Sequence, residues 1–90
     1  MPLGNEAIYE QITLRMALVL SLVARGHSYA EIASALNLGP RTVAGDASRA
    51  EILTGSANQG EMIRWWQDYG KDWAGWWLAR LGIDPADLVA

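Results

Sequence analysis

Apolar residues recur three and four positions apart along most of the chain, the spacing of one face of an α-helix. The first such stretch follows Asn5, a suitable N-cap, and stops at Gly26. Its inward face would be formed by Ile8, Ile12, Val19 and Val23, with Leu20 and Leu22 at the edge. The pattern predicts one continuous helix between Asn5 and Gly26.

Two shorter helices are predicted next. Ser28 and Glu31 have the spacing of a capping box, so a helix should begin at this point. Residues 37–39 form a turn, and Pro40 suits the first position of a helix that runs to about Leu53. The inward positions of the two helices are Ile32, Ala33, Leu36, Val43, Ala47, Ala50 and Leu53.

A long fourth helix is predicted from about Glu61 to Leu81, after a polar loop at residues 54–60. All five tryptophans lie on its apolar stripe. Gly82 should end this helix, and Asp84 opens a further short helical start. We therefore expect an all-α fold, with a helix-turn-helix domain at residues 1–57 extended by a Trp-rich C-terminal helix at residues 58–90.

Composition and charge narrow the classes of function. The 90 residues include no cysteine and a single histidine, His27, which excludes disulfides and thiolate metal sites. The longest apolar run, residues 16–24, is shorter than the roughly 20 residues of a membrane span, and the N-terminus lacks signal-peptide features. We expect a soluble, cytoplasmic protein with no membrane partner.

Enzyme signatures are missing from the sequence. The carboxylates form no paired-acid pattern, and there is no glycine-rich phosphate loop or nucleophile-elbow serine. We therefore expect neither catalysis nor a cofactor. The formal net charge of −3 counts against nucleic-acid binding, which normally requires a basic surface.

Residues 28–43 nevertheless combine a short helix, a tight turn and a second helix, a geometry that places one helix in the major groove of DNA. Residues 12–53 resemble the LuxR/GerE-type DNA-binding domain. Residues 12–15 resemble its opening L-T-x-R, residues 19–26 its V-L-x-L-x-A-x-G, and residues 28–43 its S-x-x-E-I-A-x-x-L and T-V elements. Region 4 of sigma factors is similar too, in its S-Y-x-E-I-A and S-R-A elements.

The resemblance implies that the third helix reads double-stranded DNA. Its candidate DNA-binding residues are Arg41, Thr42, Ser48 and Arg49. This chain has Ala44 and Asp46 where the family usually carries basic residues or histidine. Asp46 is expected on the DNA-facing side, where it would accept from a cytosine amino group or repel phosphate. Met16 and Leu18 replace solvated acidic residues and should be covered by the fourth helix or a second subunit.

The tryptophans predict self-association, since five of them exceed what three helices would cover. The expected oligomer interface consists of Trp65, Trp66, Tyr69, Trp73, Trp76 and Trp77. The favoured hypothesis is a small transcriptional regulator that binds a pseudo-palindromic DNA site as a homodimer. The alternatives are a protein-interaction module that modulates a host regulatory protein, of phage or plasmid type, and a small oligomeric DNA-packaging component similar to terminase small subunits.

Overall fold

The computed structural model describes residues 3–84 and residue 86, and over these residues the chain is helical with no strand. This confirms the all-α class. The helices are α1 (Leu3–Gln11), α2 (Leu14–Ala24), α3 (Tyr29–Leu36), α4 (Pro40–Leu53) and α5 (Gln59–Arg80). The short helical start predicted at Asp84 lies largely outside the described residues.

The stretch predicted as one first helix is two helices, and that prediction is wrong. Thr13 has an extended backbone, and its side-chain oxygen accepts from the Met16 N–H at 3.1 Å, so it caps a new helix at Leu14. The helical spacing of apolar residues continues across this break because Ile12 is buried, although it lies between the two helices. The first helix also begins at Leu3, before the predicted cap at Asn5.

The segment from Ser28 to Pro40 follows its local signals. Ser28 and Glu31 form the reciprocal capping box, with N···O distances of 3.1 and 2.8 Å. Asn37 ends α3 in the left-handed conformation at φ 57°, which asparagine tolerates better than most residues. Pro40 occupies the start of α4 as predicted. A three-residue turn therefore joins two helices of 8 and 14 residues.

The core is built around α2, which packs against α3, α4 and α5. Its side chains Val19, Leu20 and Val23 are almost completely inaccessible to solvent. The facing helices contribute Ile32, Val43, Ala47, Ala50, Met62 and Trp73. Burial of these side chains supplies the main stabilising free energy of the fold.

The first helix covers part of the aromatic face of α5. Tyr9 is buried, and its ring meets Trp65 and Trp76 edge-on at centroid distances of 6.1 and 5.7 Å. Its hydroxyl donates to Asp72 at 2.7 Å, and its carbonyl accepts from the Trp73 indole N–H at 3.3 Å. Burial, together with the Asp72 carboxylate, raises the pKa of Tyr9. Helix α1 thus covers part of the tryptophan surface that was predicted to pack against a second subunit.

Two glycines of α5 offer a test of this packing. An added Cβ at buried Gly70 would lie 2.9 Å from Cε2 of the Trp66 indole, whereas one at Gly75 would have nothing within 4 Å. We expect Gly70→Ala to lower the free energy of unfolding by about 1–3 kcal/mol through overpacking. Gly75→Ala should raise it by about 0.5–1 kcal/mol through helix propensity. Urea unfolding of both variants measures this, and equal effects would contradict the placement of Trp66 over Gly70.

Candidate nucleic-acid interface

One side of α4 faces solvent while the opposite side is buried. Residues 41, 48, 49 and 52 are exposed and Gly45 is partly so, whereas Val43, Ala47 and Ala50 are buried. The outward face of α4 is therefore defined by Arg41, Gly45, Ser48, Arg49 and Ile52. Three of the four residues proposed from the sequence lie on it, and Thr42 is partly buried beside it.

Asp46 does not belong to this face, and its expected position on the DNA-facing side is wrong. Its side chain is buried, with 1% of the residue exposed. Arg15 reaches it from α2 with Nε and Nη2, at 2.7 Å from Oδ2 and 3.1 Å from Oδ1. Arg49 donates from Nη2 to Oδ1 at 2.6 Å. The turn of the helix points position 46 toward α2, so the carboxylate meets guanidinium groups and lies away from the outward face of α4.

The Arg15–Asp46–Arg49 cluster keeps its carboxylate ionised. Burial by itself raises the pKa of Asp46, but the hydrogen bonds and charges of Arg15 and Arg49 outweigh burial and hold the pKa below its ordinary value of 3.8. The bond to Asp46 in turn raises the pKa of Arg15. Because both arginine side chains remain about half exposed, the cluster presents one net positive charge to solvent.

The start of α4 leaves few backbone N–H groups free for an anion. Its N-cap Gly39 has no side chain to cap the helix, and Pro40 has no N–H. The N–H of Thr42 donates to the Gly39 carbonyl at 3.1 Å, and Val43 does so at 3.2 Å. Within the described part of the chain, the N–H groups of Gly39 and Arg41 are therefore the donors that this helix start leaves for a ligand.

The aromatic residues expected at an oligomer interface fall into three classes of exposure. Trp73 is 4% exposed and donates to the α1 backbone, so its assignment to the interface is corrected: it is a core residue. Tyr69 is 36% exposed. The partly buried members are Trp65, Trp66, Trp76 and Trp77. The aromatic surface of α5 therefore remains partly accessible to solvent in a single protomer.

The sequence did not single out two residues of this region for a site, namely Arg15, a member of the cluster, and Ile52, which lines the same cavity as Arg15. Arg15 was identified only as part of the L-T-x-R element, and its contact with Asp46 spans 31 positions, which no local pattern reveals. Ile52 is 78% exposed, although an isoleucine on an amphipathic helix is normally assigned to the core. A cavity of about 340 Å³ opens beside them, and it is lined by Gln11, Thr13, Arg15, Met16, Asp46, Arg49, Ile52 and Leu53.

Met16 and Leu18, which were both expected to be covered, differ in their exposure. Met16 is buried within the protomer and lines this cavity, whereas Leu18 is 42% exposed.

The described residues hold no group of three or more histidine or acidic side chains placed to bind a metal. None of the helices in the described part of the chain combines the length and apolarity needed to cross a bilayer.

Comparison with protein-family models gives no match, and no curated protein or solved structure is significantly similar to the chain. The resemblance of residues 12–53 to LuxR-type domains therefore stays a prediction.

The depressed pKa of Asp46 predicts a specific acid dependence of stability. The ionised carboxylate stabilises the folded chain above pH 3.8, its ordinary pKa, and this contribution is lost as the pH falls through the lower folded-state pKa. Wild type should be more stable than Asp46→Asn at neutral pH, and the difference should shrink in acid. Urea unfolding of both proteins between about pH 3 and pH 7 tests this. A difference that is the same across that range would show that Asp46 is not held as an ion.

Proposed function

We propose that this chain binds double-stranded DNA through the outward face of α4, with α3 and α4 acting as a helix-turn-helix. The observation that carries the proposal is a helix whose inner side is buried on α2 and α3 while Arg41, Ser48 and Arg49 face solvent. A helix held in this way by two others has the form in which helix-turn-helix domains present one helix to the major groove.

The distribution of charge supports this proposal better than its total does. The segment spanning α2 to α4 carries four arginines against three carboxylates. One of the three, Asp46, is buried and paired, so it contributes little repulsion at the surface. Most of the remaining acidic residues belong to α1, α5 and the C-terminal end, namely Glu6, Glu10, Glu61, Asp68, Asp72, Asp84 and Asp87.

The outward face offers a small set of contacts. Arg41 lies in the first turn of α4 and has the donors for guanine or for a phosphate. Ser48 can donate or accept, and exposed Ile52 can meet a thymine methyl group. Gly45 has no neighbour within 4 Å of an added Cβ, so the helix backbone is open to close approach at the middle of this face.

We further propose that the protein acts as a homodimer that regulates transcription. The aromatic surface left accessible on α5 supports this, as does Leu81, which is 56% exposed at the end of the helix. Two copies related by a two-fold axis would present their α4 helices to half-sites about 10 base pairs apart.

A second candidate is a protein-interaction module that binds a host regulatory protein. Leu14 and Leu18 are 48% and 42% exposed, and they lie one turn apart on α2. An apolar pair of this kind is typical of a helix that meets another protein.

Paired arginine variants test DNA binding. Arg41→Ala combined with Arg49→Ala should remove most of the affinity for a labelled random-sequence duplex, because two positive charges leave the outward face of α4. The matched control, Arg25→Ala with Arg64→Ala, removes the same charge from exposed positions elsewhere and should bind almost as wild type does. Fluorescence anisotropy between about 50 and 200 mM salt measures both affinity and its salt dependence.

The proposal is overturned if folded wild-type protein binds no duplex at the lowest salt. Equal losses in the two double variants would show that binding depends on total charge and does not use the outward face of α4. Co-purification of a host protein free of nucleic acid would favour the interaction module.

The dimer is tested by mass in solution. We expect wild type to sediment as a dimer, and Tyr69→Ala to shift the equilibrium toward monomer because an exposed aromatic contact is lost. Gln67→Ala, at an exposed position two residues away, is the control and should leave the equilibrium unchanged. A monomeric wild type would contradict the dimer, and a much larger ring-sized mass would favour the DNA-packaging alternative.

A further inference from the structure

The Arg15–Asp46–Arg49 cluster leaves most of its hydrogen-bonding capacity unused. A guanidinium has five N–H donors, of which Arg15 uses two on Asp46 and Arg49 uses one. Both side chains are about half exposed, at 48% and 59%, and both line the cavity of about 340 Å³. Two oriented cations with free donors therefore flank one opening between the start of α2 and the second half of α4.

We propose that Arg15 and Arg49 form a clamp for one phosphodiester group of the DNA backbone, with Asp46 as the positioning residue that holds both guanidiniums. This inference rests on the proposed function and deepens it, because it adds a backbone contact from α2 to the contacts made by α4.

The position of the cluster suits a phosphate better than a base. Arg49 stands at the border of the outward face of α4, next to Ser48, and Arg15 lies in the first turn of α2 behind it. When a recognition helix enters the major groove, the sugar-phosphate strands run along its flanks and meet the supporting helices. Contacts to those phosphates fix the register of the protein on the duplex.

Asp46 makes the clamp rigid at a modest cost in charge. A free arginine side chain loses rotamer entropy when it binds a phosphate, whereas here the buried carboxylate already fixes both guanidiniums through three bonds of 2.6–3.1 Å. Because two positive charges share one negative charge, the cluster keeps a net positive charge for the ligand.

An acidic peptide offers a carboxylate of similar chemistry. The duplex is favoured because Arg41, Ser48 and the open backbone at Gly45 continue from the clamp along the same helix. A repeating phosphate backbone meets such an extended surface at several points, whereas one carboxylate would fill the clamp alone.

The test distinguishes the orientation of the two arginines by Asp46 from the effect of net charge on DNA binding. Asp46→Asn raises the net charge by one, so charge alone predicts tighter DNA binding, whereas loss of a positioning residue predicts binding that is several-fold weaker. Arg15→Gln should weaken binding and reduce the slope of log K against log salt by about 0.9, the value for one phosphate. The control Arg25→Gln removes the same charge from the far end of α2 and should leave the slope unchanged.

Anisotropy titrations of the labelled random-sequence duplex give these values, with circular dichroism to verify folding. If Asp46→Asn does not fold, the comparison of Arg15→Gln with Arg25→Gln decides alone. The clamp is wrong if Asp46→Asn binds as tightly as wild type or tighter, or if Arg15→Gln keeps the wild-type slope. It is also wrong if polyglutamate binding requires Arg15 while DNA binding does not. If wild type itself binds no duplex, the proposed function fails, and the clamp fails with it.

Discussion

The ionised carboxylate of Asp46 inside the bundle constrains the whole of α4. A buried charge is tolerated only where partners replace the water it has lost, and here the partners are Arg15 and Arg49. The carboxylate can meet Arg15 only when α4 is turned so that position 46 points toward α2. That rotation determines which residues of α4 are left for solvent, and it places Arg41 and Ser48 there.

This constraint depends on the break between α1 and α2. Because Thr13 caps a new helix, Arg15 lies in the first turn of α2, where its side chain can reach across to α4. The same break lets α1 change direction and bring Tyr9 against the aromatic side of α5. The Thr13 cap thus gives the two helices different roles. Helix α1 covers part of the tryptophan surface, while α2 supports α4.

The sequence is most informative where the chemistry is local. The capping box of Ser28 and Glu31 acts within one turn of helix, and so does Pro40. These residues therefore indicated the starts of α3 and α4 correctly. The misplaced features depend on distant partners. Asp46 was expected on the DNA-facing side because it stands where the LuxR-type pattern carries a basic residue or histidine. Its burial depends on an arginine 31 positions away, which that pattern does not reveal. The cover over the tryptophans was assigned to a second subunit because five of them exceed what three helices would cover. The contact of Tyr9 with Asp72 spans 63 positions, so no local pattern indicated that α1 would supply part of that cover.

The proposed function places a basic face of α4 on a chain that is acidic in total, and this combination would affect how the chain binds a duplex. Electrostatic forces between exposed charges fade over roughly 8–10 Å at moderate salt, so a duplex at α4 would interact with the nearby arginines more than with carboxylates beyond that distance. The net charge of −3 still weakens long-range attraction to nucleic acid of any sequence. Such a protein gains little affinity from phosphates alone, because few cations are available to displace counterions. Under the proposed function, the register of the protein on a duplex would therefore depend on a small number of well-oriented contacts, and a carboxylate that holds two arginines in place for one phosphate is one way for a domain of this size to obtain them.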